Sequence, residues 1–251
     1  MNKTIKEILK RTFIYKIINN KRIKKREKQL SSHKHYFWLE NTEMFSLFCK
    51  TLNEAGIKFW LEFGTLLGYY REHDFIPHDM DIDTGTYYEN AALVQNALEK
   101  AGFILVREYK ALNDGGLEQC YLYKHITIDV FYFRKDGNKM FCNSFYTLNN
   151  HTKKYYSKKS VNKPLPVGVK RIEVPIVEYI PGEFKGSKVF VPEDTDKYLK
   201  VHYGDNYMIP NPQYNNKKDS TNIIWYDYND VKGEAVFKLP YLGNPEDYKL
   251  I

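Results

Sequence analysis

Ile57-Lys58-Phe59-Trp60-Leu61-Glu62-Phe63 runs straight into Gly64-Thr65-Leu66-Leu67-Gly68-Tyr69-Tyr70-Arg71, and a few residues later comes Pro77-His78-Asp79-Met80-Asp81-Ile82-Asp83. The first run is apolar and aromatic and ends at a glycine. That pattern predicts a buried strand breaking into a helix that starts near Thr65 and carries Leu66, Leu67 and Tyr70. The second run alternates acidic and apolar residues. On a strand, residues two apart share a face, so Asp79, Asp81 and Asp83 are expected to project together.

Working outward, Phe37, Met44, Leu47, Phe48 and Leu52 fall at helical spacing and predict one helix over 36–55, with Gly56 as its stop. Residues 87–101 read as a second helix closed by Gly102. Strand-like segments follow at 103–109, 117–123 and 126–133. Residues 149–166 are polar, Lys-rich and aperiodic, the composition of a long substrate loop. Short strands are expected at 169–174 and 188–191, then a helix over 194–202. The last 40 residues, rich in Asn, Tyr and Pro, are expected to be mainly irregular. The fold class is therefore α+β.

Three carboxylates on one face repel one another unless protons or a cation sit among them. Mg²⁺ solves that problem, with Mn²⁺ as a substitute: it takes oxygen ligands from one or two carboxylates plus substrate phosphates, so Asp-x-Asp points to a phosphate-bearing substrate. Taken alone, the motif also fits a solvated turn or a Ca²⁺ loop. Asp129 adds a third acid, a single charge inside Ile126-Thr127-Ile128-Asp129-Val130-Phe131. That is a costly place without a partner, which is either the same cation or a buried salt bridge or cap. Gly64 and Thr65, at a strand end and a helix start, make a natural cradle for a di- or triphosphate. Arg71 is placed to reach a phosphate with its planar fork, or to pair with Glu72 or a strand carboxylate.

The chain has 251 residues, 43% of them hydrophobic, enough for one substantial core. Its 22 Tyr and 15 Phe mostly pack that core, while Tyr also suits sugar-facing clefts. Cys49, Cys120 and Cys142 lack CxxC spacing, so neither a zinc site nor a disulfide framework is expected, and a cytoplasmic setting fits. No apolar stretch is long enough to span a membrane, and no signal peptide is evident. Residues 1–34 hold 12 Lys or Arg against Glu7 and Glu27, so the net charge of +7 comes from a tail of +10 on a body of −3. Ile5, Ile8, Leu9, Phe13, Ile14, Ile17 and Ile18 recur at helical spacing among those lysines. The expected organisation is a basic amphipathic helical segment over 1–34 and a catalytic domain over 35–251. The segment suits peripheral contact with an anionic membrane, or packing on the body. Nucleic acid is not expected as a partner, because no nucleic-acid motif accompanies the charge.

The run from Trp60 to Arg71, continued by Ile76 to Asp83, resembles the LicD family, which includes fukutin-related proteins. Val191-Pro192, Tyr198-Leu199, Tyr203-Gly204-Asp205-Asn206-Tyr207 and Pro210 are similar to the family's closing pattern, so the resemblance covers roughly residues 36–212. It implies a nucleotidyltransferase-type mixed sheet flanked by helices. It also implies transfer of a phosphorylated alcohol, such as phosphocholine or ribitol or glycerol phosphate, from a CDP-linked donor to a hydroxyl of a glycan or lipid-linked oligosaccharide. Carried over by position, Gly64 and Thr65 match the phosphate-facing turn, Asp81 and Asp83 the metal pair, and Asp129 the third acid. Asp79 precedes the pair as a supporting residue. His78 stands where many relatives have Trp.

Asp129 is left with two roles at this stage, metal ligand or acceptor of the attacking hydroxyl's proton. Two competing readings are a metal-dependent glycosyltransferase using a nucleotide-sugar and a catalytically silent scaffold at the membrane. Glycan assembly on the cytoplasmic face of a membrane would give both halves of the chain a use.

Overall fold

The computed structural model describes residues 13–148, 161–211, 214 and 219–239; for 13–23, 25, 26 and 29 it describes the backbone alone. The first helix, α1 (Phe13–Glu54), continues without a break through the point where the basic segment was expected to end. Residues 1–12, and the side chains of Phe13, Ile14, Ile17 and Ile18, lie outside the described set. From residue 37 onward α1 is anchored by one fully buried face: Phe37, Met44, Phe45, Phe48 and Leu52. Gly56 ends it as the sequence predicts. At φ +67° it lets the Ile57 N–H turn back to the Leu52 carbonyl at 2.9 Å.

The strands are β1 (Phe59–Leu61), β2 (Asp83–Tyr87), β3 (Ile104–Ala111), β4 (Leu117–Tyr123), β5 (Ile126–Asp136), β6 (Lys139–Thr147), β7 (Pro164–Pro175), β8 (Tyr179–Phe184), β9 (Ser187–Pro192), β10 (Ile223–Trp225) and β11 (Gly233–Phe237). The short helix α2 (Phe63–Leu67) follows β1 and passes into a π-helical turn over Gly68–Glu72. Helix α3 (Ala91–Lys100) connects β2 to β3, and α4 (Thr195–Tyr203) follows β9. Among the described residues no helix is long and apolar enough to cross a membrane.

The α+β class holds, and the sheet is mixed: β2 pairs with β5 in parallel, which the intervening helix and strands permit, while the other pairings are antiparallel. The expectation of a sheet flanked by helices needs correction. Strands β5, β4, β3, β11, β7 and β6 pair in turn, and β6 returns to β5, closing a barrel. β2 and β1 extend from β5 as a side flap, β10 adds to β7, and β8 and β9 form a separate hairpin. Most of the large core lies where α1, α3 and α4 meet β1, β5 and the hairpin, with Trp60, Tyr121, Tyr132 and Tyr198 fully buried in it.

Several element expectations also change. The acidic run is strand only from Asp83, because a turn at residues 77–78 leads into 79–82, which have no strand partner of their own in the sheet register. β1 is shorter than the apolar run suggests, because Glu62 and Phe63 already cap and open α2. The final 40 residues are not simply irregular, since β10 and β11 lie among them and β11 closes the barrel between β3 and β7. The expected loop over 149–166 falls largely outside the described residues, and its end, from Pro164, belongs to β7.

Candidate functional site

The parallel register of β2 and β5 makes Asp83 and Asp129 direct neighbours, and the Asp129 N–H donates to the Ile82 carbonyl at 2.8 Å. Asp81 joins them from the irregular segment before β2. Carboxylate oxygens of Asp81, Asp83 and Asp129 all lie within 4.8 Å of one another. Burial, followed by the charges of Asp81, Asp129, Asp79 and Glu118, pushes the Asp83 carboxyl well above the usual carboxylate range. Asp129 is also raised, again chiefly by burial, although the Arg107 guanidinium, 3.4 Å from its Oδ1, works the other way. Asp79 is pushed up to about 8 by burial and by a hydrogen bond with Asp81. Such a cluster holds protons until a hard divalent cation replaces them, and an all-oxygen donor set fits that cation.

These acids line one side of a cleft of about 400 Å³. Gly64 lies on the same side. A Cβ there would run into Asp79 Oδ2, so the glycine's close approach is taken up by a carboxylate. Thr65 is buried, and its hydroxyl accepts the Asp83 N–H at 2.9 Å, which pins the first residue of β2 from α2. Thr65 thus acts on the acid cluster through Asp83's backbone. Arg71 reaches the cleft from the π-helical turn with its Nε on Glu72 Oε1 at 2.7 Å and Nη1 on the Tyr207 carbonyl at 2.9 Å. The ion pair with Glu72 weighed against a phosphate contact is present. His78 is exposed at the cleft edge.

The sequence reading missed five charged or titratable groups, one of them Glu118, buried on β4. Glu62 is fully buried and accepts from Trp60 Nε1 at 2.8 Å and from the Tyr198 hydroxyl at 3.0 Å, with His202 Nε2 at 3.1 Å. His202 lines the cleft from α4. The Asn222 amide nitrogen lies 3.1 Å from its Nδ1 and also donates to the Glu173 carbonyl at 3.0 Å, so Nδ1 accepts, while Nε2 approaches Glu62 without making a hydrogen bond. Arg107 reaches both Asp129 and the Cys120 sulfur, at 3.4 and 3.1 Å. Lys170 is buried in β7 and lines the cleft. The signal that singled out Asp129, one charge in an apolar strand, was equally available at Glu62 in Trp60-Leu61-Glu62-Phe63, but not at Lys170, whose strand continues Lys170-Arg171-Ile172-Glu173.

A closed mixed barrel with a side flap, whose flap and barrel strands bring three aspartates together at a cleft, defines an α+β protein with a clustered, all-oxygen set of candidate metal ligands. Residues 56–176 match the family described as "LicD/FKTN/FKRP, nucleotidyltransferase domain", and this chain carries a LicD-family domain. It is similar to the ribitol-5-phosphate transferase FKTN of Homo sapiens, 29% identical over 189 residues, or 73% of this chain and 37% of that protein. It is also similar to the ribitol 5-phosphate transferase FKRP of Homo sapiens, 25% identical over 173 residues, or 66% of this chain and 31% of that protein. A shorter match, 34% identical over 91 residues, joins 35% of this chain to 31% of an uncharacterised protein of Rickettsia prowazekii. The chain thus spans about a third of the length of these curated relatives.

Proposed function

We propose that this protein is a Mg²⁺-dependent phosphotransferase, with nucleotidyltransferase-type chemistry, that moves a phosphorylated alcohol from a CDP-linked donor to a hydroxyl of a glycan or lipid-linked oligosaccharide. The observation that carries the reading is the convergence of Asp81, Asp83 and Asp129 at the cleft of a LicD-family domain. Similarity to two ribitol-5-phosphate transferases supports an alcohol phosphate as the transferred group.

Asp81, Asp83 and Asp129 would hold the cation, which when bound neutralises charge on the donor diphosphate. Arg107, against Asp129, favours its ionised form and fixes its orientation, which suits a ligand. Thr65 holds the Asp83 backbone, and Asp79 supports Asp81. In the transfer, the acceptor hydroxyl oxygen forms a bond to the phosphorus nearer the alcohol. Its proton passes to a carboxylate of the cluster, and CMP departs with the electron pair of the broken P–O bond. The basic N-terminal segment would place the enzyme on the cytoplasmic face of an anionic membrane, where lipid-linked acceptors are presented.

Calorimetric titration with CDP-ribitol, CDP-glycerol, CDP-choline and UDP-glucose, in Mg²⁺ and then in EDTA, tests the donor class. Mg²⁺-dependent binding of a CDP-alcohol, abolished with turnover in a folded Asp83→Asn variant, is the expected result. Full activity of Asp83→Asn in Mg²⁺, or binding of UDP-glucose alone, would overturn it.

A further inference from the structure

The cleft contains a cation of its own. Lys170 sits within β7, opposite Ser144 of β6 in the strand register and opposite Trp225 of β10, with its Nζ 5.6 Å from the Trp225 ring centroid. It is only 8% exposed, yet it lines the same cleft as Asp81, Asp83 and Asp129, as does Ser144. Glu118, buried on β4, interacts electrostatically with both Asp129 and Lys170, so one carboxylate links the ammonium to the acid cluster.

Burying an ammonium in a sheet is costly and is offset by negative charge brought close to it. Arg71 and His202 line the same cleft, Arg71 bonded to Glu72 and the Tyr207 carbonyl and His202 to Asn222, as Lys170 has Trp225 and Glu118 beside it. A diphosphate carrying one divalent cation still faces Asp79 and the rest of the acidic wall. A second positive charge on the protein makes that approach favourable, and a compact ammonium serves a phosphate oxygen as a point charge.

Resting on the phosphotransferase reading, we propose that Lys170 binds a phosphate oxygen of the donor diphosphate on the β6–β7 flank of the cleft. The hydroxyl of Ser144 is its neighbour on that flank. Glu118 contributes negative charge toward the ammonium before the donor arrives.

The test is calorimetric binding of CDP in Mg²⁺ to the full chain and to Lys170→Met and Lys170→Arg. Lys170→Met is expected to weaken CDP binding about 10- to 100-fold, with Mg²⁺ binding unchanged, and Lys170→Arg to retain most of it. A folded Lys170→Met that binds CDP within about twofold of wild type overturns the assignment and leaves the phosphotransferase reading standing. Wild-type protein that binds no CDP overturns that reading, and this assignment with it. Should Lys170→Met not fold, reductive ¹³C-methylation of the wild-type lysines decides, the Lys170 resonance being identified by its loss in Lys170→Arg. A shift of that resonance on adding CDP with Mg²⁺, absent with cytidine, supports the contact, and an unmoved resonance refutes it.

Discussion

Thr65 shows how a residue can matter to the acid cluster without lining the cleft. Its hydroxyl is the acceptor for the Asp83 N–H. Thr65→Val keeps the shape and leaves a part-buried donor unpaired, which should cost about 1–3 kcal/mol in urea denaturation and weaken Mg²⁺ binding by letting Asp83 drift. Thr65→Ser should restore both; an unaltered Mg²⁺ affinity in Thr65→Val would show that Asp83 is fixed by its strand alone. The carboxyls themselves predict a pH dependence. Without a cation, the Asp79 and Glu118 carboxyls are each pushed up to about 8, chiefly by burial. In the unfolded chain they titrate near 4, so across about pH 4 to 8 the folded protein binds more protons and stability falls as pH rises, levelling out above that window. Cation binding needs those protons gone. Thermal melts in EDTA should therefore show a midpoint that drops from about pH 5 to pH 8, and the increase produced by Mg²⁺ should grow over the same range. A flat EDTA profile would mean that the buried carboxyls are ionised throughout. Asp81, Asp83 and Asp129 were legible in the sequence because charges among apolar residues stand out. Arg107 and Glu118 were not, since their strands, Ile104-Leu105-Val106-Arg107-Glu108 and Leu117-Glu118-Gln119, look half-exposed and only the register brings them to Asp129.

Between elements, the buried clasp of Glu62 with His202 ties the end of β1 to α4, and Tyr198, one turn earlier on α4, donates to the same carboxylate. Removing the imidazole takes away the acceptor of the Asn222 amide and the ring packed beside the fully buried Glu62. His202→Leu should lower stability by about 1–3 kcal/mol and reduce donor binding as α4 loosens at the cleft edge, with Mg²⁺ binding largely kept because the aspartates stand on β2, β5 and the segment before β2. Equal losses of Mg²⁺ and donor affinity would instead show that α4 supports the aspartates too. Helices and their glycine stops were readable from sequence because periodicity and a left-handed terminator are local signals; Gly102, at φ +93°, closes α3 as expected. The barrel was not. It depends on β11, whose five residues, Gly233-Glu234-Ala235-Val236-Phe237, carry too little pattern to read as a central strand and gain their place only from the partners on either side. The acidic run misled in the opposite way, since its alternation reads as strand while strand pairing starts only at Asp83.

For the molecule as a whole, the continuous helix α1 links the basic segment to the site. The side chains described up to Ser31 are exposed, His33 Nε2 lies 3.4 Å from the carbonyl of Met80 between Asp79 and Asp81, and burial in the core begins at Phe37. Residues 1–30 carry 11 Lys or Arg against two Glu, enough that attraction of about 1 kcal/mol per basic residue near an anionic surface would hold the protein there at low salt. Their removal takes away charge without opening the core. A chain starting at residue 31 should therefore keep its stability to within about 0.5 kcal/mol and its transfer to a soluble acceptor, while losing sedimentation with phosphatidylglycerol vesicles. A chain starting at residue 45 also loses Phe37 and Met44, both fully buried, and truncations of that kind cost about 2–5 kcal/mol for each large apolar side chain, so it should not fold stably. Binding of the full chain to vesicles should weaken as salt is raised, because exposed charges are screened over about 10 Å at 0.1 M. Unchanged sedimentation of the shorter chain would remove the basic segment as the anchor. Activity lost along with vesicle binding, on a soluble acceptor and in a stable protein, would instead show that the residues before 31 also serve the site.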